Sequence, residues 1–142
     1  MALLAQALFI LACARLAIVA LPFRKVAWIA SARPSRPFPA DPLAQIRRVR
    51  WAIRAVARRM PFRALCLEQG LAARILLRWR GIPTTLYYGV AKDENGKLIA
   101  HLWARADGID VIGTEGLERF TLLCTFAPAH SHGASDGPGG EN

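Results

Sequence analysis

The chain has 142 residues, of which 54% are hydrophobic and 20% charged. That size and balance suit one compact domain with a buried core and exclude a disordered chain. Nineteen basic residues against ten acidic ones leave a formal net charge of +9, which favours acidic partners without choosing between nucleic acid, an anionic membrane and an acidic peptide.

Residues Ala2 to Pro22 are almost wholly apolar, interrupted by Gln6 and Arg15. A secretory signal would start basic, and this one does not. A membrane span needs about 20 apolar residues, and a central arginine costs roughly 2.5–3.5 kcal/mol there. The favoured expectation is a buried helix from Ala2 to about Ile29, broken or kinked near Pro22. A membrane-associated helix is the alternative, since Arg24 and Lys25 follow. Residues 31–42 hold four prolines and read as a linker or extended loop.

A second helix is expected after Asp41, a suitable N-cap with Pro42 at the first helical position, and runs to about Arg59. Leu43, Ile46, Val49, Ile53 and Val56 fall at helical spacing. Arg47, Arg48, Arg50, Arg54, Arg58 and Arg59 crowd the rest of its surface. That basic face is either solvated or a docking face for an acidic peptide or partner protein. No nucleic-acid-binding motif accompanies it. Pro61 breaks this helix, and Cys66 opens a third that runs to about Arg80. Leu67, Leu71, Ile75 and Trp79 recur every fourth residue, widened by Ala72 and Leu76, and Gly81 supplies a stop.

The pattern then changes. Thr84 to Val90 is β-branched and aromatic and reads as a strand. Asp93-Glu94-Asn95-Gly96 is a hairpin turn, and Lys97 to Arg105 the returning strand. Asp107-Gly108 marks a second tight turn, Ile109 to Ile112 a third strand and Leu117 to Phe126 a last one. The tail from Ala129 is rich in Ser, Gly, Pro and His and reads as disordered. Helices first and an antiparallel sheet afterwards define an α+β domain.

Three widely spaced cysteines, Cys13, Cys66 and Cys124, form no CxxC pair, and His130 and His132 make a lone HxH. A structural zinc site and a disulfide framework are both disfavoured, and a reducing compartment fits better. Cys66 stands out. At a helix N-terminus it meets the positive end of the helix dipole and unpaired amides, which favour the thiolate and can hold an oxyanion. Arg63 adds to this field. His101, the only histidine outside the tail, lies in a strand where Ile99, His101, Trp103 and Arg105 share a face. Each residue alone also fits a structural role. Nucleophilic catalysis requires the two to meet in space. Cys13 and Cys124 read as inert core residues, and Gln69, one turn after Cys66, as a helper or an exposed helix residue.

The block from Cys66-Leu-Glu-Gln-Gly to Arg80-Gly81-Ile82-Pro83, then Tyr88-Gly89-Val90, then His101-Leu102-Trp103 resembles the transglutaminase-like peptidases. Those proteins open a helix with the cysteine, end it in Gly-Ile-Pro and carry His-x-Trp on the following sheet. With Asp107-Gly108 and with Pro22-Phe23-Arg24, the chain looks more narrowly like the leader peptidases of lasso-peptide (microcin-type) maturation. The resemblance implies a helical N-terminal part over residues 1–60 and a transglutaminase-like (papain-like) core over 61–128, in which a helix packs on an antiparallel sheet. Residues 129–142 are expected to form a disordered tail.

The resemblance further implies a cytoplasmic cysteine peptidase without cofactor or metal, with Cys66 as nucleophile and His101 as base, that removes the leader of a ribosomally made precursor. The implied partners are the precursor leader, a separate leader-recognition protein and a macrolactam-forming cyclase, the last on another chain because no Gly-rich nucleotide loop appears here. One position departs from the family pattern. Related sequences often carry an aspartate twelve residues past the histidine, and here that residue is Gly113. Asp107, Asp110, Glu115 and a backbone carbonyl are the candidates to orient His101. Asp110 is preferred on parity, although pairing across the Asp107-Gly108 turn would set it against Arg105. A non-catalytic peptide-binding module of the same fold, a membrane-associated accessory protein and an amine-transferring transglutaminase are the other readings.

Overall fold

The computed structural model describes residues 2–22, 24, 25, 33, 34, 36–60 and 66–128. Among the described residues, the helices α1 (Ala2–Ala20), α2 (Pro42–Ala57) and α3 (Cys66–Arg78) come first. Four strands follow: β1 (Thr84–Lys92), β2 (Leu98–Ala106), β3 (Ile109–Ile112) and β4 (Thr121–Phe126), with a 3-10 turn at Leu117–Arg119 before β4. The sheet is antiparallel throughout, in the order β3-β2-β1-β4. The α+β expectation therefore holds.

Helix boundaries follow local chemistry. The first helix is broken at Pro22 as expected: α1 ends at Ala20, because Pro22 has no amide to continue the ladder and disfavours helical backbone in the residue before it, and Arg24 and Lys25 are helical again. Residues 26–29 of the longer expected helix lie outside the described residues, as do Pro61, Arg63 and the tail 129–142. Asp41 caps α2, its carboxylate accepting from the Ala44 amide at 3.0 Å, and Pro42 takes the first helical position. The C-terminus of α3 closes with Ile82 N–H donating to Leu77 O and Gly81 N–H to Arg78 O, both at 3.0 Å, the paired bonds of a Schellman stop.

The turns set the sheet register. Asp93 organises the first hairpin loop by accepting from the amides of Asn95 and Lys97. Asp107 and Gly108, at φ 51° and 70°, form the tight second turn, which puts Ala106 opposite Ile109 and Arg105 opposite Asp110. A bulge then sets Ile112, not Val111, opposite Ala104, and both residues are buried. The last expected strand is shorter than its pattern: Leu117–Arg119 coils into a 3-10 turn, and the strand starts at Thr121. It pairs with β1, so the chain crosses from one sheet edge to the other between β3 and β4.

One hydrophobic cluster joins all three helices to the sheet. It includes Ile10 and Leu11 of α1, Ile46, Val49 and Ile53 of α2, Leu71, Leu76 and Leu77 of α3, and Leu86, Leu102 and Val111 of the strands. Arg74 of α3 ties this layer down further, donating from Nη1 to Thr84 O and, at 2.6 Å, to Phe126 O. Burial, and secondarily the charge of Arg78, push its guanidinium down to about 10, so it stays protonated at neutral pH inside the core. The first helix is less buried than expected. Ala7, Ile10, Leu11 and Ala14 pack inward, whereas Phe9 (67%) and Leu16 (68%) stay exposed, because the layer it packs on covers one side only. Its arginine turns inward. Arg15 Nη1 donates to Glu68 Oε1 at 2.8 Å, and the Glu68 side chain is only 1% exposed.

Candidate active site

Cys66 is the first residue of α3 and is half-buried against the core. Gly70, one turn later, explains how this end of the helix comes so close to the sheet. A Cβ there would lie 2.1 Å from Leu102 Cδ2, so a larger residue would have to displace the buried Leu102 side chain or hold α3 off β2. Glycine costs about 1 kcal/mol against alanine in a helix interior, and close packing is what it allows here.

His101 lies on β2, opposite Gly89 of β1. Its ring stacks at 6.2 Å on Trp103, which stacks in turn on Tyr87 at 5.7 Å, and it packs at 5.1 Å against Phe120. Nε2 is 2.6 Å from Gly113 O. A carbonyl can only accept, so Nε2 carries the proton and the neutral ring keeps its lone pair on Nδ1. The acceptor belongs to the residue twelve positions past His101, where the sequence resemblance led to the expectation of an aspartate. Gly113 has φ 72°, and a Cβ on it would lie 2.8 Å from Leu102 O and 3.3 Å from His101 Nε2. Only glycine brings this carbonyl so close without strain.

Cys66 and His101 line one pocket of about 160 Å³, together with Arg54, Gln69, Ile112, Gly113 and Glu115. It opens where β3 stops and leaves the edge of β2 around His101 accessible. Arg54 Nη2 of α2 donates to Glu115 Oε1, and Arg50 Nη2 lies 3.9 Å from the same oxygen. Partial burial raises the Glu115 carboxyl. A hydrogen bond to its own backbone and the hydrogen bond and charge of Arg54, with Arg50 behind, outweigh this and hold it below the usual carboxylate range.

The pocket thus brings Cys66, His101 and Glu115 together, with Gln69 beside them. Asp110 is not brought to His101. It pairs with Arg105 across the β2–β3 turn at 2.7 Å, both side chains about half exposed, which corrects the expectation that it orients the ring. The residues between them on β2 span too much length for its short side chain. Asp107 occupies the turn itself. Cys13 and Cys124 are exposed rather than core residues, and all three cysteines are free thiols. Arg54 and Gly70 went unnoticed as site residues in the sequence. A glycine inside an apolar helical stripe was the available signal for the second, whereas nothing local separates Arg54 from its five neighbouring arginines.

A thiol at a helix start and an imidazole with a fixed partner thus share one pocket of an α+β domain. A family model for the Transglutaminase-like superfamily matches residues 8–125, and the chain belongs to that superfamily, whose members are typically Cys–His hydrolases or transferases. No curated protein and no solved structure matches the chain.

Proposed function

We propose that the chain is a cysteine peptidase that removes the leader from a lasso-peptide precursor in the cytoplasm. The observation that carries the chemistry is the shared pocket of Cys66 and His101, with the His101 Nε2 proton committed to Gly113 O. In the proposed cycle Nδ1 takes the proton from the Cys66 thiol, and sulfur attacks the scissile carbonyl. Amides at the start of α3 hold the oxyanion. The C–N bond breaks, His101 passes its proton to the departing amine, and a thioester remains. Water then attacks, giving one proton to His101, and the C–S bond breaks to release the acid and return the proton to sulfur. An amine in place of water would make the same thioester a transglutaminase intermediate. The leader-peptidase specificity rests on the sequence resemblance, and the superfamily membership supports its coarser part.

The test is cleavage of precursor peptides followed by mass spectrometry. Wild type should yield leader and core, and Cys66→Ala and His101→Ala should each lose at least roughly 10³-fold in rate. Processing that survives Cys66→Ala would end the proposal. Site-resolved alkylation is needed to compare thiols, because Cys13 and Cys124 are also exposed. A Cys66 that labels only after unfolding would favour the non-catalytic module. Leader recognition is assigned to a separate protein that docks on exposed Arg47 and Arg48 of α2 and on Arg58 and Arg59 just past its end, with ring closure left to a separate cyclase. Reversing those four charges should abolish co-elution with that protein, and unchanged co-elution would count against the docking. The exposed apolar side of α1 favours one further reading, a membrane-associated accessory protein, which fractionation with and without residues 1–30 distinguishes.

A further inference from the structure

Segment 113–116 carries the carbonyl that holds His101 and leaves the sheet just past buried Ile112, which pairs with Ala104 of β2. Gly113 and Gly116 both have positive φ, 72° and 68°, and Gly116 has open space around it. Between them stand only Thr114 and Glu115. Glu115 is the charged anchor, joined to Arg54 and approached by Arg50 one turn earlier on α2. Both arginines belong to a helix fixed in the core by Val49, Ile53 and Val56. Gly113, Glu115, Cys66 and His101 all line the same pocket.

We propose that the Arg54–Glu115 ion pair is a latch that positions His101 by holding the Gly113 carbonyl against its ring. Glu115 is a positioning residue. It touches no reacting atom and acts through the two peptide units that separate it from Gly113. The arrangement divides the work of a triad acid. The carbonyl orients the ring and fixes its tautomer, and the carboxylate, with its charge spent on Arg54 and Arg50, secures the carbonyl from behind. The catalytic arm of this proposal rests on the Cys66–His101 reading, whereas the positional arm does not.

The experiment compares wild type with Glu115→Ala, Glu115→Gln and the swap Arg54→Glu with Glu115→Arg, all in the full chain. The first readout needs no substrate. The hydrogen-bonded Nε2 proton of His101 should give a protected low-field NMR signal in wild type. Its exchange should be at least roughly tenfold faster in Glu115→Ala, intermediate in Glu115→Gln and partly restored in the swap. In precursor cleavage, Glu115→Ala should lower kcat roughly 10- to 100-fold with KM little changed. Circular dichroism checks folding, and Glu115 is exposed enough, at 65%, for truncation to be tolerated. A folded Glu115→Ala whose His101 proton is as protected as in wild type overturns the latch. A latch signal without cleavage by wild type would remove only the peptidase reading.

Discussion

At the scale of single residues, Gly113 does what its missing side chain would have been expected to do. It contributes a carbonyl oxygen at 2.6 Å from His101 Nε2, in a backbone conformation that side chains rarely adopt. Placing an aspartate at this position should therefore fail as a means of orienting His101. Gly113→Asp is expected to cost about 1–3 kcal/mol in stability through its positive φ and to lower rather than raise the rate of precursor cleavage. Denaturant titration and kinetics check both. A stable and faster Gly113→Asp would show that the carbonyl is dispensable. Glu115 gives a pH prediction of definite sign. Because its folded carboxyl is depressed, its contribution is present above the unfolded value, about 4.3, and is lost as pH falls through the lower folded value. Carboxylate titration by NMR should place its midpoint below that of an unfolded glutamate and move it upward in Arg54→Met. A midpoint unmoved by that substitution would contradict the ion pair.

At the scale of elements, the site depends on how closely α3 docks on β2. Gly70→Ala meets the buried Leu102 side chain, and an overpacked core contact of this kind costs about 1–3 kcal/mol. Its particular expectation is a lower rate of Cys66 alkylation or precursor cleavage along with the lower melting temperature, since the displaced helix start carries Cys66. A variant that loses stability with unchanged chemistry would separate docking from the site. Arg74 is the second fastening of α3. Arg74→Leu removes the side-chain donor to the buried Thr84 carbonyl and one bond to the part-buried Phe126 carbonyl, at about 1–3 kcal/mol for the buried group, and chemical denaturation should show the loss. The strand pairing around the Asp107-Gly108 turn was readable in the residues, as was the pairing of Asp110 with Arg105. The bulge after it was not, because it reflects the burial of both Val111 and Ile112 against helices distant in the chain.

At the scale of the whole molecule, the helical N-terminal part and the Cys–His core share one hydrophobic cluster. Residues 61–142 expressed alone should accordingly lack a cooperative thermal transition, since Leu71, Leu76 and Leu77 would lose the cover of α1 and α2. A fragment that melts cooperatively would show that the core is independent. The ion pair of half-exposed Arg15 with buried Glu68 makes the same point electrostatically, joining α1 to the turn of α3 that carries Cys66.

Periodicity and turn chemistry in the sequence alone determined the α+β class, the start of α3 at Cys66, the Gly81 stop and the two hairpins, because each depends on residues within a few positions of one another. The motif spacing pointed to Cys66 and His101 in the same local way. Only the tertiary structure decided that β4 pairs with β1, that Arg54 rather than another arginine faces the pocket, and that a backbone carbonyl rather than Asp110 holds the imidazole. Those outcomes depend on packing between segments up to 61 residues apart, and neither a backbone oxygen nor the choice among similar arginines on one helix leaves a mark in the order of side chains.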